Sequence, residues 1–173
     1  EHPDGLDVAV GTANQVAGCV VMVVAGVQAL QVTFTAEVDP ATAQPGAVTI
    51  TGQAVGDVSS LVQSLALDPG GAVLSITLAS PLPDADEYTV AVTDLLTGAE
   101  GQTLSGDADR LVRVLAGDAD GSGAVGAGDV PAVRDRCGQT VGAETARYDL
   151  DGSGAITGAD MLAARSRTGH ALP

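Results

Sequence analysis

Leu30-Gln31-Val32-Thr33-Phe34-Thr35-Ala36-Glu37-Val38 alternates apolar and polar residues with a period of two. Successive side chains of an extended chain point to opposite faces, so Leu30, Val32, Phe34, Ala36 and Val38 predict one buried face of a strand. The signature recurs at Val48 and Ile50, at Leu74, Ile76 and Leu78, and at Tyr88, Val90 and Val92. A further strand-like run follows at 110–115. Turn formers lie between these segments: Asp39-Pro40, Pro45-Gly46, Asp68-Pro69-Gly70-Gly71 and the stretch 81–86. Short strands punctuated in this way predict an antiparallel all-β sandwich over residues 1–115.

Charge and composition exclude several roles. Twenty-two acidic residues face seven arginines, with no lysine, for a net charge of -15. Such a chain repels phosphate backbones and anionic headgroups, and one Phe, two Tyr and no Trp offer no platform for stacked bases or sugars. No nucleic-acid partner is expected. The apolar run 16–27 is a dozen residues, short of the ~20 that cross a bilayer, so no membrane insertion is expected either. Glu1, Asp4 and Asp7 precede that run where a signal peptide would be basic, and the chain starts without Met. A mature or excised piece is the expectation, with any targeting signal outside it. Core side chains are mostly Ala and Val among 23 Gly, so each buries little area and a small module should need a metal or disulfide.

At Ala116-Gly117 the alternation gives way to a repeat. Asp118-Ala119-Asp120-Gly121-Ser122-Gly123-Ala124-Val125-Gly126-Ala127-Gly128-Asp129 returns 31 residues later as Asp149-Leu150-Asp151-Gly152-Ser153-Gly154-Ala155-Ile156-Thr157-Gly158-Ala159-Asp160. A twelve-residue loop that offers oxygens at positions 1, 3, 5, 7, 9 and 12, with Gly at 6 for the turn, is the pattern that satisfies a calcium ion. Asp118, Asp120, Ser122, Asp129 and the carbonyl of Ala124 fit it in the first loop. Asp149, Asp151, Ser153, Asp160, the carbonyl of Ala155 and the Thr157 hydroxyl fit it in the second. Gly126 stands at position 9 of the first loop, where water must serve. Two bound calcium ions are expected, because three converging carboxylates in each loop would repel without a cation. Val125 and Ile156, at position 8, are where the paired loops should form a short β contact.

Behind each loop the sequence predicts a helix with a core stripe, Val130, Val133 and Cys137 in the first and Met161, Ala164 and Thr168 in the second. Pro131 should delay or distort the first helix. Thr157 and Asp160 make a capping-box-like pair for the second, whereas Gly126 caps the first weakly.

Two resemblances follow from these residues. The strands quoted above, with Asp39-Pro40-Ala41-Thr42 and the stretch 94–104, resemble the bacterial Ig-like domains of surface-layer and extracellular enzyme proteins over residues 10–115. That likeness implies a spacer or packing module. The duplicated loops, each followed by one helix and the first entered by a strand-like run, resemble the type I dockerin over residues 117–169. This second likeness implies a small α-helical module at 116–173 with EF-hand-like loops, which plugs a secreted parent protein into a cohesin domain of a scaffold. The parent would be a polysaccharide-degrading enzyme of a cellulosome, such as a glycoside hydrolase. In that family the helix faces carry recognition, and the matching positions here are Ala127, Gly128 and Arg134, and Gly158, Ala159 and Arg165. Small apolar residues stand where the family tends to have hydroxyls.

No catalytic constellation is visible in the chain itself. His2 and His170 lie near the ends, Asp120-Gly121-Ser122-Gly123 lacks the preceding Gly of a nucleophile elbow, and Asp84, Asp86, Asp107 and Asp109 read as solvated turn residues. A non-enzymatic module of a secreted, extracellular or cell-surface protein is expected. A calcium clamp that packs against the Ig-like domain, with no partner in trans, is the alternative. Cys19 and Cys137 could bond across the modules or sit as small buried hydrophobes. The two loops should be unequal: Thr157 adds an oxygen and a cap that Gly126 lacks. In a site-resolved titration Asp149→Ala should therefore cost more calcium affinity than Asp118→Ala, and the reverse order would refute the inequality.

Overall fold

Through Phe34 the alternation folds as the pattern requires. In β2 (Ala29–Phe34) Leu30, Val32 and Phe34 are buried while Ala29 and Thr33 are exposed. The computed structural model describes residues 8–10, 27–103, 109–142 and 144–173. Besides β2, the strands are β1 (Val8–Val10), β3 (Val48–Gly52), β4 (Gly56–Asp57), β5 (Val62–Leu67), β6 (Val73–Leu78), β7 (Asp86–Val92) and β8 (Asp109–Val114). They form two antiparallel sheets, in the orders β1-β2-β6-β5 and β4-β3-β7-β8. The inward residues of both sheets, among them Val32, Ile50, Leu74, Ile76, Tyr88, Val90 and Val112, make one core. This is the sandwich expected from the sequence.

Two details differ. The chain bends at 35–36, so Ala36 is exposed, and Val38 is buried through an isolated bridge to Gly98 rather than in the strand. The pattern also gave no sign of β5. That strand lies at a sheet edge, and a register shift between Val62 and Ser64 breaks its alternation.

A second hydrophobic cluster joins Ala119, Val133, Tyr148, Leu150, Ile156 and Ala164. It includes α1 (Asp129–Arg134) and α2 (Gly158–Ser166), which pack on one another. As expected, α1 starts late: it begins at Asp129, loop position 12, whereas α2 begins at Gly158, loop position 10, and Pro131 lies within it. Pro131 falls in the first turn, where its missing N–H has no intrahelical partner to lose. The helix is also short: the chain tightens after Arg134 through Arg136 N–H to Val133 O at 3.0 Å. Cys137 therefore lies past α1 and is exposed, and Thr168 lies exposed past α2, so neither completes a core stripe. Cys19, and with it the candidate bond to Cys137, lies outside the described residues, as does Asp107.

Asp86 is not a solvated turn residue. It is 1% exposed and accepts N–H bonds from Ala54 (2.9 Å) and Glu87 (2.8 Å) on Oδ1 and from Val55 (3.0 Å) on Oδ2. A Cβ at Gly52 would meet this carboxylate, so only glycine fits beneath the turn. Desolvation alone would raise its pKa, but the N–H groups of Ala54, Val55, Glu87 and Gln53 outweigh it and leave the carboxyl below the usual aspartate value. Beside it, Tyr88 donates to Pro83 O at 2.8 Å. Burial, and then the charges of Asp86 and Asp84, push that phenol up to about 12.

A carboxyl whose pKa is depressed on folding adds stability above its unfolded value, near 4, and loses it as pH falls through the folded value. Asp86→Asn keeps an acceptor and removes the charge. Its urea midpoint should correspond to a loss of about 1–2 kcal/mol at pH 6, shrinking as pH falls below about 4. A gap that stays constant from pH 6 to pH 3 would contradict this role.

Candidate metal centre

The repeat places its acids in two clusters. One carboxylate oxygen each from Asp118, Asp120 and Asp129 lies within 4.8 Å of the others, and Asp149, Asp151 and Asp160 do the same. Local geometry explains the convergence. Gly123 (φ 86) and Gly154 (φ 82) occupy the left-handed region at position 6 and turn the chain back on its first aspartate. Their N–H groups then donate to that aspartate, Gly123 to Asp118 Oδ2 at 2.8 Å and Gly154 to Asp149 Oδ2 at 2.9 Å. Position 5 donates to position 3 in both loops: Ser122 N–H to Asp120 Oδ1 and Ser153 N–H to Asp151 Oδ1, each at 3.0 Å.

The closing aspartates are fully buried. Asp129 accepts from Asp120 N–H at 3.1 Å and from Gly126 N–H at 2.6 Å. Asp160 accepts from Leu150 N–H (2.7 Å), Asp151 N–H (3.1 Å) and Thr157 N–H (2.7 Å). Thr157 is committed to the helix: its hydroxyl accepts from Ala159 N–H at 3.2 Å in a capping box with Asp160. No comparable side-chain cap exists at α1, whose N-cap is Gly128.

Ser122 and Ser153 donate their hydroxyls to the carbonyls of Ala124 (3.0 Å) and Ala155 (3.1 Å). Lone pairs remain on all four oxygens for an ion. Hydrogen bonding to Ser122 holds the Asp120 carboxyl below the ordinary aspartate value, and Ser153 does the same to Asp151. Within each loop the three carboxylates converge. One oxygen is left over. Asp149 is 6% exposed, and its Oδ1 is buried with no hydrogen-bond partner among the described residues, whereas Asp118 Oδ1 accepts from Ser122 N–H at 2.9 Å. A buried charged oxygen without a partner is costly, and a hard divalent cation amid an all-oxygen set would satisfy it.

Position 8 behaves differently from expectation. Val125 and Ile156 do not pair with each other; each loop bonds to the segment beyond the other repeat's helix. Val125 N–H donates to His170 O (2.8 Å) and Gly169 N–H to Val125 O (2.9 Å), while Gly138 N–H donates to Ile156 O (2.9 Å). Bridges Ala124–Ala171 and Thr140–Ala155 repeat the exchange. A near-twofold arrangement follows, because Gly138 and Gly169 are separated by the same 31 residues as the loops.

Ala127, Gly128, Arg134, Gly158, Ala159 and Arg165 are all exposed. Gly128 also has an internal reason to be glycine, since a Cβ there would collide with the Asp120 carboxylate. Arg134 is ion-paired with its neighbour Asp135 at 2.8 Å. Leu162, 66% exposed, joins this face, and the sequence did carry the signal: it sits three residues from both Ala159 and Arg165, out of phase with Met161 and Ala164. At the junction of the two clusters Ala116 N–H donates to Asp84 Oδ1 at 2.7 Å, so Asp84, like Asp86, is a backbone acceptor.

Comparison with known proteins identifies the sandwich. No curated protein matches the chain. Among solved structures, the N-terminal part of the bacterial S-layer protein SbsC aligns at 22% identity with TM-score 0.50, over 65% of this chain and 24% of that one. The S-layer protein rSbsC(31-844) gives 22% identity and TM-score 0.49, over 65% of this chain and 14% of that one. Native alpha-2-macroglobulin from Escherichia coli, domains MG0-NIE-MG1, gives 16% and 0.44, over 65% and 33%. The chain thus spans a third or less of each of these proteins, and such identities speak to fold alone. The model of the family described as bacterial Ig-like domain matches residues 20–112, more than half of the chain, and the chain belongs to that family.

Proposed function

We infer that the chain is a non-catalytic piece of an extracellular or cell-surface protein, in which the Ig-like sandwich supports a dockerin-like module that binds two calcium ions and docks on a cohesin-type partner. The observation that carries the reading is the pair of carboxylate triads, with Asp149 Oδ1 buried and lacking any donor among the described residues. Calcium suits such loops better than magnesium, because a twelve-residue loop offers more oxygens than an octahedral ion with retained waters uses. Binding would neutralise charge that otherwise opposes folding of the second cluster, so module and ion should fold together. Dockerin resemblance supplies the partner, and the exposed row Ala127, Gly128, Gly158, Ala159 and Leu162, flanked by Arg134 and Arg165, supplies a surface for it. Small residues there would let a partner's backbone approach closely.

The hydrogen bond from Ala116 to Asp84 favours the second reading, a calcium clamp that steadies the sandwich without a partner in trans. Calorimetric titration of cohesins into the full chain separates the two. Binding should occur in calcium and vanish in excess chelator. Ala127→Phe with Ala159→Phe should lower affinity at least about 100-fold by excluding the partner, while calcium affinity stays unchanged. Retained binding by the double variant would reject this face. If no cohesin binds the wild-type chain in calcium, the clamp reading stands in its place.

A further inference from the structure

We propose that Arg147 sets the inequality between the two loops by holding a positive charge against the first of them, and so weakens calcium there. The inference rests on the reading of the triads as calcium sites. Arg147 precedes the second loop by two residues, yet its guanidinium reaches the first: Nη1 lies 4.0 Å from where a Cβ on Gly121, position 4 of that loop, would stand. Tyr148 holds it there. Arg147 Nη2 donates to the Tyr148 hydroxyl at 2.8 Å, and the guanidinium carbon lies 4.9 Å from the ring centroid, as does that of Arg136. Tyr148 itself is 3% exposed within the second core, so this post does not swing freely.

Two further observations make the charge matter. Among the described residues Arg147 has no ion pair with a carboxylate, and its Nε is buried without an acceptor. Its charge is thus not spent on a neighbour. The 31-residue repeat puts Ala116 at the equivalent place before the first loop, and alanine carries no charge to return to the second. The electrostatics then act in one direction. A cation beside an ion-free triad relieves carboxylate repulsion, and the same cation repels a divalent ion that enters. Both effects lower calcium affinity in the first loop. In the second, the unpartnered Asp149 Oδ1 works the other way.

The position-6 amides report each loop separately, because Gly123 and Gly154 donate to the first aspartate of their own loop. Calcium chloride is titrated into the full chain and the two amide resonances are followed by NMR. In the wild type Gly154 should respond at lower calcium than Gly123. Arg147→Gln should move the Gly123 midpoint to about fivefold lower calcium and leave Gly154 in place. Arg147→Lys, which keeps the charge, should preserve the wild-type gap. Potassium chloride at about 1 M should narrow the gap in the wild type and leave it nearly unchanged in Arg147→Gln. Should Arg147 serve only to brace Tyr148, Gln and Lys would act alike and weaken both loops, which overturns the proposal. An unmoved Gly123 midpoint in Arg147→Gln overturns it as well, with the calcium reading intact. If neither amide responds to calcium in the wild type, the calcium reading falls, and this inference with it.

Discussion

An aspartate carboxylate that accepts backbone N–H bonds is the interaction on which both halves of this molecule depend. In the sandwich each such carboxylate works alone. Asp39 caps a short helical turn through Ala41, Asp57 binds Ser59, Asp68 binds Ala72 and Val73, and Asp86 holds the turn at 53–55. A chain with 22 acids and seven bases has few cations to neutralise them, so fixed N–H dipoles do that work instead. In the loops the same chemistry brings three aspartates to one point. Each accepts at least one backbone N–H bond, yet the backbone supplies only partial charges where three carboxylates converge. The device that steadies a turn in the sandwich thus gathers, in the repeat, an all-oxygen set of the kind a hard cation would satisfy.

Much of this was legible in the sequence, and for one reason. Period-two alternation marks residues buried on a single face, and β2, β3, β6 and β7 have such faces. Where that condition fails, the signal fails. β5 is an edge strand with a bulge, and Ala36 continues the alternation past a bend at which the strand has already ended. The loops were legible because position 6 admits only a residue that tolerates positive φ, which leaves glycine at the same place in both repeats. Asp84 is exposed at a bend as its polarity suggests, but Asp86 is buried, because polarity alone does not distinguish an aspartate in water from one that faces backbone N–H groups. The crossing of each loop onto the far end of the other repeat, and the reach of Arg147 to Gly121, are long-range contacts with no local trace.

Repetition in sequence has not produced two equal halves. The second loop has a capping box, a nine-residue helix and an unsatisfied buried oxygen; the first has a glycine cap, a six-residue helix and an arginine beside it. Strand bonds pass from each loop to the other repeat, so each loop is held in part by backbone of its counterpart. The exposed row Ala127, Gly128, Gly158 and Ala159 spans both repeats.

Each triad is expected to hold one ion. Native mass spectrometry of the intact chain, sprayed from a calcium-containing volatile buffer at neutral pH, counts bound ions directly. Two calcium ions per chain are expected, one for each triad, and both should be lost on acidification as the carboxylates protonate. A chain that keeps its fold and carries no calcium would contradict the central claim.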